Sequence, residues 1–238
     1  GNGTNILPFS GNIDGNGHTL TFAKGSKPLF GYVRDAKVSN LNIFGTYIDG
    51  YGLVENYVVD YGKDGKNWTD DDPKAVITAE KVTIKSGTRI HQSGFLGGYA
   101  SGIDHADFTN CTVEQGVTIG CNIDGTSAGL SNIGSFGGAL NGTIKNCVSY
   151  ATVYGDSNVG GIAGIRGQST DIFSIENCAF HGIINATGNN IGGILGSGYY
   201  MYNAPNAFGA VIKNCTVDGN ISGRNNIGGI FGAEAGID

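Results

Sequence analysis

Four segments of this chain end on the same pair of residues, and a chain that repeats one phrase at a near-regular interval is constrained to architectures that stack the repeats. Three copies align residue for residue: Ile144-Lys145-Asn146-Cys147, Ile175-Glu176-Asn177-Cys178 and Ile212-Lys213-Asn214-Cys215. Phe108-Thr109-Asn110-Cys111 keeps the pattern, and Val38-Ser39-Asn40-Leu41 is a degenerate first copy. A second phrase recurs between them: Val159-Gly160-Gly161-Ile162-Ala163-Gly164, Ile191-Gly192-Gly193-Ile194-Leu195-Gly196 and Ile227-Gly228-Gly229-Ile230-Phe231-Gly232. Looser copies are Pro28-Leu29-Phe30-Gly31, Ser93-Gly94-Phe95-Leu96-Gly97 and Ile133-Gly134-Ser135-Phe136-Gly137-Gly138.

From the cysteine to the closing glycine the spacing is 17, 18 and 17 residues in the three best copies. From that glycine to the next Asn-Cys it varies freely. One arc of each repeat is therefore fixed and the other tolerates insertions, as in a solenoid whose loops grow on one side. The runs between bends are short, alternating and rich in β-branched residues, with no helical period. A repeat of 31 to 37 residues is too short for a four-stranded propeller blade and lacks the pattern of leucine-rich or helical repeats. The expected fold is all-β: a right-handed, single-stranded parallel β-helix (β-solenoid) with loop insertions.

In such a stack, equivalent residues lie above one another at about 4.8 Å. Asn110, Asn146, Asn177 and Asn214 are expected to form a buried ladder at a bend, since asparagine tolerates the left-handed backbone of a sharp turn. Cys111, Cys147, Cys178 and Cys215 then point inward as small apolar side chains with free thiols. The paired glycines suit places where a Cβ would clash. The whole chain, 1–238, is read as one domain. Residues 4–20 form a capping first coil, 50–80 an insertion and 81–238 the regular repeats. The polypeptide is expected to continue beyond Asp238 with further repeats, a cap or an anchoring domain.

Composition narrows the function classes. Glycine supplies 43 of 238 residues, yet 39% are hydrophobic, enough apolar surface to exclude a disordered chain. Charged residues are 14%, with a net charge of -6, which argues against nucleic acid or anionic lipid as a partner. No apolar run reaches the roughly 20 residues of a spanning helix, so no membrane insertion is expected within this segment.

The Gly-Gly-Ile-x-Gly phrase, with its preceding Ile-x-Asn-Cys strands, resembles the GLUG-type repeat of bacterial surface proteins. So does the opening Phe9-Ser10-Gly11-Asn12-Ile13-Asp14-Gly15-Asn16-Gly17-His18-Thr19-Leu20. The resemblance covers residues 9–48 and 81–238. It implies an adhesin-like chain at the cell surface or outside the cell, in a family that also includes non-catalytic portions of IgA-specific metallopeptidases.

An enzyme of this fold needs carboxylates, or a Ca²⁺ site with a basic residue, converging on consecutive coils. Here Asp156, Asp171, Glu176 and Asp218 fall at non-equivalent positions, and Arg34, Arg89, Arg166 and Arg224 are equally scattered. There is no His-Glu-x-x-His. A line of cysteines cannot converge tetrahedrally on zinc. No catalytic residue and no cofactor is therefore assigned, and a carbohydrate-active β-helix enzyme is the alternative. Two loops are candidates for other chemistry. The 50–80 segment carries Asp60, Asp64, Asp70 and Asp72, a candidate Ca²⁺ set without the spacing of an EF-hand, together with Trp68. Tyr199, Tyr200 and Tyr202 lie in the variable arc. With Trp68 they are the candidate contacts for an extracellular glycan or protein, the alternative for the tyrosines being to fold back and cover the side of the solenoid. The expected function is a non-catalytic surface module that binds, adheres or acts as a spacer.

Overall fold

The structure is a computed structural model and describes residues 8–57, 75–96, 103–167, 173–198 and 210–233. Among these there is no helix; every regular element is a strand, and the sheets are built from parallel pairs. One face stacks Phe9–Asp14, Phe30–Ser39, Ala75–Glu80, Ile103–Thr109, Gly142–Lys145, Ser174–Glu176 and Val211–Lys213 in sequence order. A second stacks Thr19–Phe22, Asn42–Gly45, Thr83–Ile84, Thr112–Val113, Val148–Ser149, Ala179–Phe180 and Thr216–Val217. A third runs through Arg89–Ile90, Thr118–Ile119, Thr152–Gly155, Ile183–Ala186 and Asn220–Ser222. Each coil visits the faces in turn and then begins the next coil one strand further along, which is the winding of a parallel β-solenoid and not of a closed barrel.

Alternation within each strand decides what is inside. On the first face, Val38, Ala79, Phe108, Ile144 and Ile175 occupy one inward column and are fully buried. Phe95 and Phe136 stack with ring centroids 5.2 Å apart and interplanar angle 6°, and Phe108 meets both edge-on. Each such side chain contributes on the order of 1.5–3 kcal/mol by leaving water. The core is one continuous cluster from Phe30 to Leu195.

The double glycines are required by close approach rather than by a positive φ. A Cβ on Gly161 would lie 2.1 Å from the carbonyl oxygen of Gly193, and one on Gly193 would lie 2.1 Å from that of Gly229.

The segment 50–80 is in part solenoid. Gly52-Leu53-Val54 occupies the same column as the later Gly-Gly-Ile phrases: Val54 pairs with Phe30 and bridges to Leu96, and both Leu53 and Val54 are fully buried. Ala75–Glu80 pairs on both sides within the first face. The N-terminal coil pairs in the ordinary way, with Gly11–Asp14 on Ala36–Ser39 and Thr19–Phe22 on Asn42–Gly45.

Candidate functional site

The bend between the first and second faces is an asparagine column. Asn40, Asn110, Asn146, Asn177 and Asn214 all have φ between 50° and 55°. The Nδ2 group of Asn177 donates to Asn146 Oδ1 at 3.1 Å, and Asn214 donates to Asn177 in the same way at 3.1 Å. At the N-terminal end Asn40 donates to Asp14 Oδ1 at 3.0 Å. Lys81 holds the same place in the third coil, with φ 53° and its amide on the Thr109 carbonyl. One expectation is corrected: Asn110, Asn146, Asn177 and Asn214 are exposed, not buried. The left-handed bend turns the asparagine side chain outward and the next residue inward.

That next residue is the cysteine. Cys111, Cys147 and Cys178 are buried, Cys215 at the last coil is half-buried, and all are free thiols. The amide of Cys111 donates to Cys147 Sγ at 3.3 Å, and that of Cys147 to Cys178 Sγ at 3.4 Å. Burial pushes the Cys147 thiol above its ordinary range. Cys121, outside the repeat, is fully buried and its thiol is pushed up to about 11, chiefly by burial.

A second asparagine column runs along another bend, at the residue before each Ile-Gly or Val-Gly. Asn132, Asn158, Asn190 and Asn226 have φ of 59°, 56°, 63° and 51°. Asn158 donates to Asn132 at 2.8 Å, Asn190 to Asn158 at 2.9 Å and Asn226 to Asn190 at 2.8 Å. Asn225 adds a neighbouring rung to Asn189 at 2.8 Å.

Two outward surfaces carry groups able to meet a ligand. On the second face, the third residue after each cysteine forms a row: Glu114, Tyr150, His181 and Asp218, preceded by Lys85 in the coil before. Lys85 pairs with Glu114. Burial would raise the Glu114 carboxyl, but the hydrogen bonds from Lys85 and the Ser86 amide outweigh it and hold it below its ordinary range. Tyr150 stacks on His181 with centroids 5.1 Å apart, and His181 Nδ1 lies 2.5 Å from Asp218 Oδ1. On the first face, an open cleft of about 370 Å³ is lined by Asn12, Asp35, Ala36, Lys37, Val76 and Thr78. Beside it Lys37 pairs with Glu80 at 3.3 Å, and His105 lies 3.0 Å from Asp107.

Trp68, Tyr199, Tyr200 and Tyr202, and the acidic set Asp60, Asp64, Asp70 and Asp72, lie outside the described residues. Among the described residues no three His, Cys, Asp or Glu side chains are grouped so as to hold a metal ion, and no helix is long and apolar enough to cross a membrane. The row on the second face and the second asparagine column were missed by motif comparison. Their signal is a fixed offset: three residues after the cysteine, and one before the Ile-Gly or Val-Gly.

No family model and no curated protein matches this chain. One solved structure is similar, described as the "Crystal structure of a putative immunoglobulin A1 protease from Bacteroides ovatus at 1.30 A resolution". Its TM-score is 0.47 at 17% identity, over 87% of this chain and 61% of that one. This chain thus spans less than two thirds of its length.

Proposed function

We propose that this chain is a non-catalytic binding or spacer module of the GLUG-repeat kind, a right-handed, single-stranded β-helix within a larger bacterial surface protein. The observation that carries the binding reading is the outward row of the second face. Stacking holds Glu114, Tyr150, His181 and Asp218 on successive coils, each about 4.8 Å from the next. A stacked ring pair between charged groups offers an apolar plane with hydrogen-bonding flanks, the chemistry that suits a sugar ring or an extended peptide. The right-handed sense follows from the strong preference of parallel crossovers for that hand. Glycan-array binding by the whole chain tests the reading. Binding that weakens at least about tenfold in Tyr150→Ala and in His181→Ala supports it; equal binding by wild type and both variants removes it.

The cleft over Asp35 and Lys37 supports a second reading, a carbohydrate-active enzyme, because a carboxylate and an ammonium line it side by side, with Glu80 of the next coil paired to Lys37. A turnover screen on uronic-acid polymers separates the two. Product formation that Lys37→Ala abolishes would establish the enzyme.

A further inference from the structure

The second face has a floor and two walls. In each coil the exposed asparagine is followed by the inward cysteine, a small outward residue, a second inward residue and then the taller residue of the outward row. The small residues Thr112, Val148 and Ala179 lie in register on successive strands and make the floor. One wall is the asparagine column from Asn110 to Asn214, the other the row from Glu114 to Asp218. The walls are four residues apart, at most roughly 13 Å of extended strand, and the four coils span about 14 Å along the axis. Asn177 shows what the first wall has left to offer. It gives one N–H to Asn146 and takes one from Asn214. A primary amide has two donors and two acceptor lone pairs, so a second N–H and a second lone pair remain for a hydroxyl on this exposed side chain. The opposite wall supplies a ring, Tyr150, which is 41% exposed and braced from behind by His181.

Resting on the binding reading above, we propose that the ligand is an uncharged linear glycan laid along the solenoid axis in this groove. Its hydroxyls meet the asparagine wall and one of its rings packs on Tyr150. Two observations select that occupant. A peptide that binds a sheet by adding a strand needs a free strand edge. Here Thr112–Val113, Val148–Ser149 and Ala179–Phe180 are each paired on both sides, so only side chains are on offer. The cations of the groove are also matched already, Lys85 by Glu114 and a protonated His181 by Asp218. A uronate or sulfate would therefore meet carboxylates with no unmatched cation in either wall. A neutral sugar chain asks for what is left: amide donors and acceptors for its hydroxyls, and an aromatic plane for the apolar face of a ring.

The test titrates the whole chain with cellohexaose, mannohexaose and maltohexaose and follows it by NMR. Hexagalacturonate is the anionic counterpart and hexaserine the peptide one. The expected result is that an uncharged hexaose binds and shifts the side-chain amide signals of Asn146 and Asn177 and the methyl signal of Ala179. Ala179→Met, which fills the floor without a charge, and Asn177→Gly, which keeps the bend and removes the amide, should each weaken binding about fivefold or more. Asn185→Ala, on the exposed side of the third face, should leave it unchanged. Tighter binding of hexagalacturonate or hexaserine would overturn the ligand class. Weakening by Tyr150→Ala but not by Ala179→Met would overturn the groove and leave the binding reading standing. Binding of none of the three uncharged hexaoses at millimolar concentration would overturn the proposal, while the glycan array still decides the binding reading separately.

Discussion

At each bend of the asparagine columns a residue must accept φ near +50°, which costs an ordinary L-residue roughly 1–2 kcal/mol, and must also satisfy a neighbour across the coil gap. Asn190 meets both demands, with φ 63°, a bond to Asn158 and a bond from Asn226. Asn190→Ala should therefore lower stability by about 2 kcal/mol. Asn190→Gly, which keeps the backbone and loses only the bonds, should lower it by about 1 kcal/mol. Asn177, bonded to Asn146 and Asn214, should behave alike. Asn12 lies in an exposed strand position and serves as the control, with a change within about 0.5 kcal/mol. Urea midpoints check the set, and equal losses for Ala and Gly would remove the backbone part of the explanation.

Asp14 gives a pH-dependent reading of the same column. The Asn16 amide and, next, the Asn40 side chain hold its carboxyl below the ordinary 3.8. A depressed carboxyl pKa contributes stability that is present above its unfolded value and is lost as pH falls through its folded value. Asn40→Ala should raise the Asp14 pKa while leaving it below the ordinary range, because the Asn16 amide remains. An NMR titration of the carboxyl carbon reads this directly, and an unmoved midpoint would contradict the bond.

At the scale of the element, the Gly-Gly bends make the sharpest demand. Gly161→Ala and Gly193→Ala each push a methyl group to about 2.1 Å from a carbonyl oxygen of the next coil. Each should cost roughly 3 kcal/mol, the upper range of overpacking. Gly229→Ala, the same position in the last coil, meets nothing within 4 Å and should be nearly neutral. Comparable losses in all three would mean that the glycines serve conformation and not proximity. In the cysteine column, thiol labelling of the native protein should modify Cys215 well before Cys111, Cys147 or Cys178, because only Cys215 is half-buried. Uniform labelling would contradict the inward column.

Much of the stack is legible in the sequence, because identical contexts at equal offsets must occupy equivalent places. The Ile-x-Asn-Cys strands and the Gly-Gly-Ile bends are read that way. The third coil is harder to see, since Lys81 stands where asparagine is expected and Val82 where cysteine is. Gly52-Leu53-Val54 is masked by its distance from the next strand, which removes the spacing that identifies a repeat. The second asparagine column looks like a polar surface turn, because Ser-Asn and Asn-Asn pairs are ordinary turn chemistry. The exposure of the first column follows from the bend geometry, which sequence periodicity does not report. A row such as Tyr150 and His181 has no common residue type, so only its offset from the cysteine marks it.

Across the molecule, each coil pairs in parallel with the coils next to it in sequence and, among the described residues, with no others. The inward column of the first face offers a direct measurement. Ile144 pairs with Ile175, and Ile175 with Ile212. Adjacent members lie about 4.8 Å apart along the stack and the outer two about twice that. In a deuterated sample with labelled isoleucine methyl groups, strong nuclear Overhauser contacts should join Ile144 to Ile175 and Ile175 to Ile212. Ile184 should likewise meet Ile221 on the third face. A strong direct contact between Ile144 and Ile212, or the absence of the two sequential ones in the folded protein, would contradict the solenoid.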